Sequence, residues 1–86
     1  TNYPNPFNPE TTISFTLPES GLTSLKIYNC KGQMVKELFK ADPGAGTHKC
    51  VWNGTDNSEI PVASGLYYCV LEKGSSRTAK KLLLMK

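Results

Sequence analysis

Eighty-six residues with 38% apolar content and a formal net charge of +3 describe one modest core, too apolar for a disordered tail and too small for a deep catalytic cleft. A chain this short buries only about 60–65% of the surface it exposes when unfolded, so a marginally stable fold is expected. The longest apolar run, Leu82–Met85, cannot span a bilayer, and no basic stretch leads into an apolar one as in a signal peptide, so any export signal is expected upstream.

The opening Asn2-Tyr-Pro-Asn-Pro-Phe-Asn-Pro9 holds three prolines in six positions. Fixed φ at each proline, and restriction of the residue before it, exclude a helix. Residues 1–10 therefore read as a rigid lead-in that Tyr3 and Phe7 tack onto a single domain covering 1–86. Thr11–Leu17 alternates Ile13, Phe15 and Leu17 with Thr12, Ser14 and Thr16, the period of a half-buried strand. Pro18–Gly21 breaks it. Leu22–Tyr28 is the second strand, Leu25 and Ile27 on one face and Ser24, Lys26 and Tyr28 on the other. Lys31-Gly-Gln33 is a hairpin turn, followed by a third strand over Met34–Phe39 with Val35 inward. Asp42-Pro-Gly-Ala-Gly46 is a turn, since proline presets φ and glycine supplies positive φ.

Thr47–Trp52 is the fourth strand, with His48, Cys50 and Trp52 sharing a face, and residues 53–58 are a polar loop of Asx-type turn formers. Leu66–Glu72 alternates Tyr67, Cys69 and Leu71 with Tyr68 and Val70. A turn at Lys73-Gly-Ser-Ser76 leads into Arg77–Lys86. The Ala, Lys and Leu content of that last segment also suits a helix, but Gly74 at hairpin distance favours a strand. Six or seven short strands with β-branched and aromatic residues predict an all-β antiparallel sandwich. Its core is expected to comprise Ile13, Phe15, Leu17, Leu25, Ile27, Val35, Cys50, Trp52, Tyr67, Cys69 and Leu71.

Little in the chain points to chemistry. Cys50 and His48, two apart on one strand, are the nearest approach to a nucleophile and base. A cysteine beside a tryptophan is more simply a small buried hydrophobe. Three cysteines, Cys30, Cys50 and Cys69, cannot all pair within one monomer, and no C-x-x-C or Cys/His cluster suggests zinc. One disulfide plus a free thiol, and three reduced thiols, are both compatible with the sequence. Asp42, Asp56 and Glu59 fall in loops without the spacing of a calcium site. No phosphate-binding loop occurs, and no metal or cofactor is expected.

Two surfaces remain. Tyr28 and Tyr68, on the face away from the core, could form a shallow platform for a weak ligand, although cross-strand packing accounts for them as well. The basic residues around them are too scattered for a nucleic-acid groove. Residues 72–86 carry a local net charge of +4, which suits either an anionic partner or lysines guarding a sheet edge.

Taken in order, several of these segments resemble the C-terminal sorting domain of the bacterial type IX (Por) secretion system. They are the Asn2–Pro9 opening with Thr11-Thr-Ile-Ser-Phe, Leu25-Lys-Ile-Tyr-Asn29 with Gly32-Gln33, Gly46-Thr-His48, Trp52-Asn-Gly-Thr-Asp56, Pro61-Val-Ala-Ser-Gly65-Leu-Tyr67 and the final Lys80–Lys86. The resemblance implies a seven-stranded immunoglobulin-like sandwich and a non-catalytic signal. That signal would send an upstream cargo domain through the periplasm and the outer-membrane secretion and attachment machinery to the cell surface. Lys80, Lys81, Leu82, Leu83, Leu84, Met85 and Lys86 would be its recognition element. A related sandwich is carried by flagellar hook-capping proteins, and similar domains occur as tails on secreted hydrolases, so the alternative expectation is an accessory structural spacer or weak carbohydrate-binding module of a secreted multidomain enzyme.

Overall fold

The computed structural model describes residues 10–85; the lead-in with Tyr3 and Phe7, and Lys86, lie outside the described residues. Six strands follow in order: β1 (Thr11–Leu17), β2 (Thr23–Asn29), β3 (Met34–Ala41), β4 (Gly46–Trp52), β5 (Gly65–Lys73) and β6 (Ser76–Leu84). They form a two-stranded sheet, β1-β4, and a four-stranded sheet ordered β3-β2-β5-β6, with every pairing antiparallel. Six strands are seen among the described residues, where the sequence led to an expectation of seven. Residues 53–64, where another strand would fit, hold only an isolated bridge between Thr55 and Pro61.

The registers reveal how the sheets meet. In the large sheet Phe39, Leu25, Leu71 and Thr78 form one cross-strand row, and Ile27, Cys69 and Lys80 the next along. Tyr67 and Leu82 form a third. The small sheet supplies matching pairs: Phe15 with His48, Ile13 with Cys50, and Thr11 with Trp52. Two ring contacts join the layers. Phe15 stacks on Phe39 at 5.5 Å between centroids, and Trp52 meets Tyr67 edge-on at 5.2 Å, both favourable aromatic geometries.

Ile13, Phe15, Leu17, Leu25, Ile27, Trp52, Tyr67 and Cys69 are buried, and Leu84 joins them. Val35, Cys50 and Leu71 are only half-buried, packed against the rim of this core. Leu38 and Phe39 pack there too, against the expectation that Val35 was the inward residue of β3. The pairing of β2 with β3 shifts register twice, passing over Leu38 and Val35, so strict alternation fails at these bulges. Val70, assigned by alternation to the outer face, is also buried. It lies on a central strand between Lys26 and Ala79, and lines one pocket with Tyr28 and Tyr68.

Several turns are fixed by side chains. Asn29 Oδ1 accepts the amides of Lys31 and Gln33, shaping the β2–β3 hairpin around Gly32, whose φ of 82° suits glycine. Tyr67 donates its hydroxyl to the carbonyl of Ala63 at 2.6 Å, a tie back along the chain like the tyrosine corner of immunoglobulin-type sandwiches.

Leu25 is fully buried, whereas Leu83 is 64% exposed. Leu25→Ala should therefore cost about 2–5 kcal/mol in urea unfolding. Leu83→Ala should fall within about 0.5 kcal/mol of wild type. Equal effects would contradict the assigned facing of β2 and β6.

Candidate functional site

The most elaborate local structure is the loop between β4 and β5. Trp52 begins it: its indole N–H donates to the carbonyl of Thr55 at 2.8 Å, and Thr55 Oγ1 in turn donates to Asn53 Oδ1. Asp56 Oδ1 accepts the amides of Ser58 and Ile60, closing a tight turn in which Glu59 adopts a positive φ of 62°. Lys36, reaching across from β3, pins this turn. Its ammonium donates to Thr55 Oγ1, to the carbonyl of Asp56 and to the Glu59 carboxylate. Asn57 completes the docking, donating its amide to the Val35 carbonyl and accepting the Glu37 amide at Oδ1.

This arrangement uses the carboxylates for architecture. Lys36 holds the Glu59 carboxyl below its usual range, first by hydrogen bonding and then by charge. The Asp42 carboxyl is lowered chiefly by the amides of Gly21 and Gly44, at the opposite turns. Asp42 is thus committed apart from Asp56 and Glu59. Among the described residues no three His, Cys, Asp or Glu gather as a metal site. Both depressed carboxylates contribute stability that is present above the ordinary carboxylate range and lost as pH falls through their lowered values.

His48, Cys50 and Trp52 do share the inner face of β4, but the histidine is engaged elsewhere. His48 Nε2 is 2.8 Å from the Gly44 carbonyl, and its ring lies against Phe15. Burial raises the Cys50 thiol, and it pushes Cys69 up to about 11, helped by Cys50 nearby. Thiols held protonated are poor nucleophiles. All three cysteines are free, Cys30 on the surface.

Tyr28 and Tyr68 stand directly opposite each other on β2 and β5. With Cys30, Val70, Arg77 and Ala79 they line an open pocket of ≈ 260 Å³ on the outer face of the large sheet. Their opposed register places the pair on one face, and among the cations only Arg77 lines the pocket.

The C-terminal segment is not a presented tail. Lys80, Lys81, Leu82, Leu83 and Leu84 all belong to β6, which pairs with β5 from Ser76 to Leu84. Within it Leu84 is buried and Leu82 half-buried, while Leu83, Lys80 and Lys81 are exposed. Met85 follows the strand and is 71% exposed.

The comparisons with known proteins identify the class of domain. The FlgD Ig-like domain family matches residues 4–77. The chain belongs to that family, whose members are structural and non-catalytic. Its fold resembles two solved structures. One is FlgD from P. aeruginosa, with a TM-score of 0.71, 21% identity, and coverage of 88% of this chain and 61% of that one. The other is FlgD from Xanthomonas campestris, described with insights into "the hook capping essential for flagellar assembly", with a TM-score of 0.66, 23% identity, and coverage of 86% and 54%. The chain thus spans less than two thirds of either. No curated protein matches it.

These findings overturn the resemblance to a type IX sorting domain, and with it the sorting function and the outer-membrane secretion and attachment machinery as partner. The segments that carried the resemblance have structural work here. Asn29 and Gly32-Gln33 build a hairpin, and Trp52 through Asp56 form the pinned loop. Tyr67 locks onto Ala63, and the basic-apolar end is a paired strand. Sequence reasoning missed Lys36, whose partners lie in a loop some twenty residues away and carry no periodic signal.

Two outcomes test this site. Lys36→Met should destabilise the domain by about 1 kcal/mol and speed amide exchange at Ser58 and Ile60, leaving the strands protected; unchanged loop exchange would contradict the clamp. At alkaline pH the unfolded Cys69 thiol ionises near 9.0, but the folded one only near 11. Stability should therefore fall between those values, by about 3 kcal/mol at most. Cys69→Val should flatten that slope in denaturant titrations, and an identical slope would assign it to another group.

Proposed function

We propose that these 86 residues act as a structural module of a flagellar hook-capping-type protein, working outside the cytoplasm as part of a surface assembly. The observation that carries this reading is the family match over residues 4–77, and the resemblance in fold to two FlgD structures accords with it. The geometry suits a load-bearing role. Rings interlock the two sheets, and the long loop is fixed by Lys36 instead of being left free to gate a cavity. Expected partners are components of the hook and its cap, which replace the secretion machinery named above.

Deleting the parent gene in its source bacterium tests the proposal. Cells should lose hooks and flagella by electron microscopy, and the intact gene should restore them. A parent protein lacking residues 10–85, produced at normal level, should restore them poorly. Normal flagella and motility in the deletion strain would overturn it.

A further inference from the structure

The outer face of the large sheet carries, next to the β2–β3 hairpin, one row of large side chains. Met34, Tyr28, Tyr68 and Lys81 stand in register across its four strands. Met34 is 48% exposed, and both tyrosines are half-buried. In the next row Val70 is buried and Ala79 is too short to fill the space beside the rings. The pocket of ≈ 260 Å³ lies there, lined also by Cys30 and Gly32 of the hairpin. It falls below the roughly 300–1,000 Å³ of a typical small-molecule site. Arg77 completes the lining from the same face of β6 as Ala79. Its cross-strand neighbour, Glu72, pairs instead with Lys26 at 3.8 Å. Among the described residues Arg77 therefore has no ion pair, and neither tyrosine hydroxyl has a hydrogen bond. Nor does any described carboxylate line the pocket.

We propose that this face is where the module docks on another protein, with the pocket receiving a carboxylate side chain set beside a large apolar one. The inference deepens the structural-module reading above and rests on it. Tyrosine, methionine and arginine are enriched at protein interfaces, and tyrosine and arginine among their energetic hot spots. Here Met34 shares the row of the tyrosines, and Arg77 shares their pocket. Lys26, Glu72 and Lys81 stand around them as a charged rim. Charge complementarity fixes the occupant. An incoming carboxylate gives the Arg77 guanidinium a bidentate partner and accepts from a tyrosine hydroxyl, both charge-assisted hydrogen bonds. Its apolar neighbour packs against the tyrosine rings. A basic segment is disfavoured by Arg77, and a purely apolar one would bury that guanidinium without a partner.

Two experiments test the docking face. In the deletion strain, parent protein carrying Arg77→Glu should restore flagella about fivefold or more poorly than wild type. Lys49→Glu makes the same charge change on β4 of the other sheet and should restore them fully. Arg77 is exposed, so an unchanged melting temperature of the 86-residue variant will show that it still folds. In solution, acetyl-Leu-Glu-Leu-amide titrated into the ¹⁵N-labelled chain should shift the amides of Tyr28, Tyr68 and Ala79. It should bind about fivefold or more weakly with glutamine for its glutamate, or with Arg77→Glu in the protein. No shifts at millimolar peptide, or shifts indifferent to both changes, would overturn the proposal. So would full restoration by the folded Arg77→Glu protein in a strain that has lost its flagella. That result leaves the structural-module reading standing, whereas normal flagella in the deletion strain remove the reading and this inference with it. Self-association of the chain that Arg77→Glu abolishes would assign the face to a second copy and overturn docking on another protein.

Discussion

Leu25 and Ile27 are wholly removed from solvent at the centre of a four-stranded sheet, and among the described residues the sheet that faces them has two strands, β1 and β4. That burial constrains the rest of the molecule. With every second residue of β1 and β4 facing inward, two large rings do much of the covering, Phe15 against Phe39 and Trp52 against Tyr67. Apolar burial at about 25 cal/mol per Å² makes such rings the dominant stabilising groups in a domain this small. The bulges in β3 follow from the same demand, since they bring Leu38 and Phe39 to the core together.

Trp52 links this core to the loop between β4 and β5. A buried indole N–H without a partner costs free energy, and the Thr55 carbonyl supplies one. Holding Thr55 in place requires the Asp56 turn, and the polar atoms of that turn are satisfied by Lys36 and Asn57. A chain of hydrogen bonds therefore runs from the aromatic core to the surface of β3. Such a continuous brace suits a module that transmits position, in keeping with a family of structural proteins.

Much of the fold was legible in the sequence because two-residue periodicity reports facing directly. Ile13, Phe15 and Leu17 alternate without interruption, and the structure buries each. Legibility failed where the local rule is broken by tertiary structure. Val70 is buried on the outer face of a central strand, and β3 changes parity at its bulges. The functional resemblance failed for a different reason. Gly-Gln after Asn29, Ser-Gly before Leu66-Tyr67 and the asparagine-rich loop after Trp52 are turn and corner chemistry that an immunoglobulin-like sandwich needs whatever it does. Such motifs report the fold strongly and the destination of the protein weakly. Of the candidate sites, the tyrosine pair was placed correctly on one face by parity, while the Lys36 clamp left no trace in periodicity.

Inter-sheet nuclear Overhauser contacts in solution test the aromatic interlock most directly. A sandwich covered as described here will show contacts between the Trp52 and Tyr67 rings and between Phe15 and Phe39, with a slowly exchanging Trp52 indole N–H. Absence of both ring contacts, with rapid exchange at the indole, would mean that the two sheets meet by some other face.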